Sequence, residues 1–285
     1  MTIADVLKEM GSNSPPFQPS VNSHVDVYEE RQMSWNPVCI KKDALFYQFR
    51  TLGEEECTIE LLPDACLNVL FECDENDPHA LLSGTFLEPK VLEPKPYTTY
   101  FGFKPYSSLG LKTPGIHCGE LVNAHTDFTY AFPTATQLVE KIPGAKTFDE
   151  RIRMFNEYAR GNLIDEEYTP TFVDYFTVMI CSAKGNILFN NMEQVTGYSE
   201  RYCREKFKDT HGLSPKRYSS IMRFQNVLKS LVTNDYDDLS TLALDNGYFD
   251  QAHFIHDFKK FAAVSPYRFR KHFREVNMSH LSCRS

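Results

Sequence analysis

No run of eighteen apolar residues occurs anywhere in the chain, which excludes a transmembrane helix. The opening residues, MTIADVLKEMGSNSPP, lack the basic n-region and long apolar h-region of a secretory signal. The sequence therefore predicts a cytoplasmic protein, in which thiols stay reduced. None of the eight cysteines forms a Cys-x-x-Cys pair. Cys39, Cys57, Cys66 and Cys73 fall close together, but their spacings of 18, 9 and 7 match no zinc pattern, so they read as buried or incidental thiols. Basic residues are outnumbered, 30 against 38, for a net charge of −8, which excludes a uniformly basic coat.

What is present is an ordinary soluble composition, 42% apolar and 24% charged, on a chain of 285 residues, long enough for two domains with separate cores. The charge is unevenly placed. Residues 170–285 carry 16 Lys and Arg against 12 acids, a net of +4, and residues 1–169 carry 14 against 26, a net of −12. An acidic domain joined to a mildly basic one suits a protein whose C-terminal part alone meets phosphate.

Residues 1–30 read as a flexible segment, with turn-forming Gly11-Ser-Asn-Ser-Pro-Pro16. Residues 31–130 read as a β-rich barrel or sandwich. Its short strands are carried by Thr58–Leu62, Cys66–Phe71 and Tyr97–Phe103 and cut by prolines at 89, 94, 96, 105 and 114. Residues 131–169 form a helical connector. In it Thr147 and Glu150 make a capping box, Ile152, Phe155, Tyr158 and Ala159 share a face, and Gly161 stops the helix. Another helix is expected over 171–183. Residues 170–275 are all-α, and 276–285 form a flexible tail. Tyr97, Tyr100, Phe101, Phe103 and Tyr106 could line an apolar pocket or simply be core. His117, Cys118, Glu120 and His125 lack the spacing of a metal site, and nothing calls for a cofactor or metal.

The most specific stretch is LSTLALDNGYFDQAHFIHDFKKFAAVSPYRFR, residues 239–270. It reads as a helix capped by Asp238, a turn at Gly247, a second helix capped by Asp250, and a Ser-Pro stop, the layout of a helix-turn-helix. Ala243, four before Gly247, lets the helices approach. Phe254, Phe258 and Phe261 form the inward stripe. A cruder copy spans 192–218, with Gly197-Tyr198, Phe207-Lys208 and Leu213-Ser214-Pro215 answering Gly247-Tyr248, Phe258-Lys259 and Val264-Ser265-Pro266. There Ser199 is the cap, and Tyr202, Cys203 and Phe207 face inward. Between the units a helix from Pro215 to about Thr233 buries Tyr218, Ile221, Met222, Leu228, Leu231 and Val232. Such a spacer is ~27 Å long, near the ~34 Å repeat of B-DNA.

The remaining faces supply candidate readers. Arg201 and Arg204 suit guanine and Glu205 suits cytosine in the first unit. Gln251 suits adenine in the second, beside Ala252, His253 and His256. Lys206, Lys208, Lys216, Arg217, Arg223, Lys259, Lys260, Arg268, Arg270 and Lys271 are candidates for phosphate, which adds affinity and register without sequence information.

These residues resemble the double helix-turn-helix domain of the AraC/XylS transcription regulators. Gly247-Tyr-Phe-Asp-Gln-Ala-His-Phe254, Phe258-Lys259 and Val264-Ser-Pro-Tyr-x-Phe-Arg270 carry the resemblance. It implies two three-helix units joined by the long helix, with base-contacting positions at Arg201, Arg204, Glu205, Gln251, Ala252, His253 and His256. Glu193 departs from the usual Ala of the first unit, and burying it there would be costly. Leu61–Phe71, Ser83-Gly-Thr and Tyr100-Phe-Gly-Phe103 resemble the β-rich sensory domain of a subset of these regulators, which implies effector binding or oligomerisation.

The leading expectation is a sequence-specific transcription regulator, not an enzyme. Its partners would be double-stranded DNA, RNA polymerase and a small-molecule effector, and it would act as a monomer or homodimer; activators predominate in the resembled family. Two alternatives stand beside it: a regulator acting by protein contact, and a zinc/cysteine DNA-repair methyl acceptor, which would need closely spaced cysteines that the sequence lacks.

Overall fold

The computed structural model describes residues 18, 25–35, 42–51, 53, 58–106, 111–112, 116–165, 167–187, 192–233, 236 and 238–273. The tail 276–285 and most of the N-terminal segment lie outside them, as do Cys39 and Cys57.

Period-2 alternation organises the N-terminal half. Strands β1 (Val25–Trp35), β2 (Lys42–Thr51), β4 (Asn68–Glu72), β5 (His79–Ser83), β7 (Thr99–Pro105) and β8 (His125–Asp127) form one antiparallel sheet in the order β1-β2-β7-β4-β5-β8. The register pairs Phe46 with Phe103 and Phe71 with Phe101. On one face Ala44, Phe46, Val69, Phe71, Phe101 and Phe103 are buried against helices. The alternate residues, among them Leu45, Tyr47, Phe49, Leu70 and Lys104, therefore take the other face. That face is covered in part by a two-stranded sheet of β3 (Ile59–Leu61) and β6 (Lys90–Leu92).

β1 opens at Val25, inside the segment read as flexible. Its run Glu29-Glu-Arg-Gln32 is exposed. An edge strand shows solvent on much of its surface, so the alternation that would announce it is missing.

Helices α1 (Phe128–Ala131), α2 (Thr136–Lys141) and α3 (Phe148–Asn162) pack on the first face, through Phe128, Leu138, Phe148, Ile152 and Phe155. Phe155 meets Phe46, Phe71, Phe101 and Phe103 with ring centroids 4.4–6.3 Å apart. The connector is thus part of the N-terminal core. Thr147 caps α3 as expected, accepting from the Glu150 amide at 3.2 Å, but Glu150 accepts from the Lys146 amide rather than that of Thr147. Gly161 does not stop the helix, which runs to Asn162 and caps at Leu163. A full capping box occurs instead at α4 (Phe172–Ser182), between Thr171 and Asp174.

The C-terminal half continues with α5 (Met192–Thr196), α6 (Glu200–His211), α7 (Pro215–Thr233), α8 (Leu239–Asp245), α9 (Gln251–Ala262) and a last helix, α10, over 266–273. The 19-residue α7 is ~28 Å long and runs through the centre. Ile221, Phe224, Val227 and Leu228 on it have no exposed surface. Phe224 and Val227 extend the predicted stripe, whereas Met222 and Val232 are only half-buried. Each such burial contributes ~1.5–3 kcal/mol. Among the described residues no helix is long and apolar enough to cross a membrane.

The two halves share a core. Leu62 is buried in the C-terminal cluster, with Ala65, Leu87 and Val122 packed beside it. Gln225 on α7 donates to the carbonyl of Pro63 at 2.7 Å. A Cβ on Gly212 would run into the carbonyl of Cys118, so the turn after α6 lies directly on residues 118–122.

Candidate nucleic-acid interface and interior cavity

The two helix-turn-helix units are built by the same local chemistry. In the first, Gly197 takes φ 73° in the turn and Ser199 accepts from the Tyr202 amide at 3.3 Å to cap α6. In the second, Gly247 takes φ 72° and Asp250 accepts from the His253 amide at 2.7 Å to cap α9. Asp238 caps α8 through the Ser240 and Thr241 amides. Each unit closes with Ser-Pro: Ser214 accepts from Arg217 N, and Ser265 from Arg268 N, both at 3.3 Å. Proline at the next position lacks only an amide proton that the first helical turn leaves unpaired.

Phe254, Phe258 and Phe261 are buried as predicted, and so are Cys203 and Phe207. Tyr202 is not: it is 39% exposed and packs at a tilt against the rings of Tyr198 and Phe172. Counting from the cap put it on the inner face, but that face is already filled by Cys203 and Phe207. Glu193 is exposed, so the burial cost feared from its position does not arise.

All seven candidate base readers are exposed. Two of them are engaged with acids on their own helix: Arg204 with Glu200 at 2.5 Å and Arg201 with Glu205 at 3.1 Å. In the second unit the Gln251 carbonyl oxygen accepts from the Ser240 hydroxyl at 3.0 Å, and Nδ1 of His253 accepts from the Phe249 amide at 3.3 Å.

The phosphate candidates divide. Lys208, Lys216, Lys259, Lys260, Arg268 and Lys271 are exposed. Lys206 is exposed too, over the Tyr202 ring and 3.6 Å from Asp209. Arg217, Arg223 and Arg270 are half-buried over the rings of Phe261, Tyr248 and Tyr236. Arg223 also donates to the carbonyl of Gly247 at 3.1 Å, which ties α7 to the turn of the second unit.

A cavity of about 240 Å³ lies on the second face of the large sheet. Its walls include Tyr28, Tyr47, Phe49, Ile59, Leu61 and Leu70. None of the five aromatics proposed for a pocket lines it: Phe101 and Phe103 point to the helices, and Tyr97 is exposed. For Phe101 and Phe103 phase decides this, since Tyr47 and Lys104 are on the opposite pleat from Phe46 and Phe103; Tyr100 shares the cavity's face but packs on Phe49 beside it. The cavity holds a buried ion pair, Lys104 Nζ to Asp64 at 2.5 Å. Burial pulls the Lys104 ammonium down, but Asp64 and its neighbours hold it above the ordinary lysine range. Asp64 also accepts from Gln18 at 3.0 Å and from the Cys66 amide at 3.1 Å. One further wall residue is Lys229, from α7. Sequence reasoning missed this group; its one local trace is the lysine closing the apolar run Tyr100-Phe-Gly-Phe103. Among the described residues no three His, Cys, Asp or Glu are grouped to hold a metal ion.

Residues 192–272 match a family model described as a helix-turn-helix domain. This stretch is an AraC-type helix-turn-helix domain. Its span takes in both units, the long helix and α10. Solved structures similar to this chain include two of ToxT from Vibrio cholerae. One of these is 10% identical, with a TM-score of 0.40 over 86% of this chain and 98% of that chain. Another, bound to (E)-4-(8-methylnaphthalen-1-yl)but-3-enoic acid, is 10% identical with a TM-score of 0.39 over 87% and 100%. No curated protein matches the chain.

Proposed function

We propose that the protein is a cytoplasmic transcription regulator that reads two successive major-groove segments with α6 and α9 and answers to a small molecule in the N-terminal cavity. One observation carries the first half. Two exposed helices, each capped by a side chain after a positive-φ glycine, are held at either side of one buried spacer helix. Helix N-terminal residues set in this way meet base edges, and the exposed lysines around them meet phosphate.

The second half is supported by the cavity's walls. Apolar rings with a few buried polar groups suit a small, mostly apolar effector with a polar end. Because Lys229 belongs to the spacer helix and Gln225 is bonded to Pro63, an occupant touches the element that sets the position of both reading helices. Contact with RNA polymerase, an activating rather than repressing role, and action as a monomer or homodimer complete the proposal.

The Arg201–Glu205 and Arg204–Glu200 pairs favour a second reading, regulation by protein contact, since they neutralise both arginines of the first reading helix. Selection from random duplex DNA by the purified full chain separates the two. A bipartite motif with halves ~10 bp apart is expected. No enrichment, with or without candidate effectors, would favour protein contact.

A further inference from the structure

The hydrogen bonds behind the second reading helix restrict what it can offer to a base. Ser240, near the start of α8, donates its hydroxyl to the carbonyl oxygen of Gln251, the first residue of α9. That bond spans the turn of the helix-turn-helix and engages the oxygen end of the Gln251 amide. The end left free is the NH₂ group, with two donors. His253 is oriented in the same sense. Its Nδ1 accepts from the amide of Phe249, and its ring lies edge-on to Tyr248 with centroids 5.4 Å apart. A ring nitrogen that accepts carries no proton, so the proton of the neutral ring is on Nε2.

We infer that Ser240 is a positioning residue that makes Gln251, together with His253, present mainly donors and so select guanine over adenine in the second half-site. In the major groove guanine offers two acceptors, N7 and O6. Adenine offers one acceptor and one donor, and glutamine reads it by using its carbonyl oxygen and its NH₂ together. With the carbonyl oxygen drawn back to Ser240 and one of its two lone pairs occupied, the adenine pairing is weakened and the guanine pairing is not. Residue type alone assigns Gln251 to adenine; Ser240 on the first helix of the pair reverses that. The inference rests on the DNA reading proposed above.

Selection from random duplexes is run with the full-length wild type and with Ser240→Ala, Ser240→Thr and Gln251→Ala. Ser240 is exposed, so the substitutions leave the core alone. The base pair whose preference disappears in Gln251→Ala is the one Gln251 reads. At that pair the wild type is expected to select guanine. Ser240→Ala should move the preference to adenine, a change on the order of five- to a hundredfold in relative affinity. Ser240→Thr, which keeps the hydroxyl, should retain guanine. A purely structural role for Ser240 would lower affinity for all sequences and leave the base unchanged. Adenine in the wild type, or the same base in Ser240→Ala, overturns the inference while leaving the DNA reading intact. Absence of any enriched motif in the wild type overturns both.

Discussion

Gln225 and Pro63 lie 162 residues apart in the chain and 2.7 Å apart in space. The amide NH₂ of one, buried on the spacer helix, donates to the main-chain carbonyl of the other, at the rim of the β domain. Between them they join the wall of the cavity to the axis of the DNA-binding half.

Replacing Gln225 by Leu keeps the volume and leaves the Pro63 carbonyl buried without its donor. The cost should be ~1–3 kcal/mol. Hydrogen exchange should show lost protection concentrated in residues 59–66 and along α7. A loss confined to α7 would mean that the contact does not couple the halves.

The Lys104–Asp64 pair makes a second prediction. Lys104→Met strands a buried carboxylate and should destabilise the protein by ~3–5 kcal/mol in urea unfolding. Adding Asp64→Asn removes that charge, while the amide oxygen can still accept from the Cys66 amide. The double variant should therefore recover a large part of the loss. If it is no more stable than Lys104→Met alone, the pair's charge is not what the fold depends on.

Glu200 restrains Arg204 on the first reading helix. Glu200→Gln should release it and remove a negative charge facing DNA. Affinity should rise severalfold, and the gain should shrink as salt screens the charge that was removed. Fluorescence anisotropy across a salt series measures both. An unchanged affinity would indicate that Arg204 already leaves Glu200 when DNA binds.

Alkaline pH should weaken the fold through its thiols. Burial pushes Cys73 up from 9.0 to about 11 and Cys181 up to about 12. An unfolded thiol ionises near pH 9 while the folded one stays neutral. Stability from these groups is therefore complete below pH 9 and is lost as pH climbs from 9 toward 11 and 12. Thermal unfolding at pH 8 and pH 10.5 tests this, with Cys73→Ala expected to flatten the dependence.

Legibility followed the range of the interaction. The glycine turns, the Ser and Asp caps and the phenylalanine stripe of α9 were readable, because each is decided within about a dozen residues. Strands 59–61, 68–72 and 99–105 were readable as apolar runs bounded by turn residues. β1 was not, because an edge strand of glutamates, arginine and glutamine has no buried face pattern of its own. The cavity was not, because it depends on register. Asp64 and Lys104 meet only once β7 lies antiparallel to β4, with Val69 opposite Phe103. Tyr202 and Ser240 failed differently, since a helix's own period cannot say which neighbour will claim a side chain.

Lys229 gives the cavity one wall that belongs to the helix carrying both reading units. For the proposed regulator this makes communication two-way. If a bound small molecule raises the affinity for an operator by some factor, the operator must raise the affinity for the small molecule by the same factor. Each occupied promoter would then retain its signal longer than protein free in solution does, and a gene would lengthen the memory of the compound that switched it.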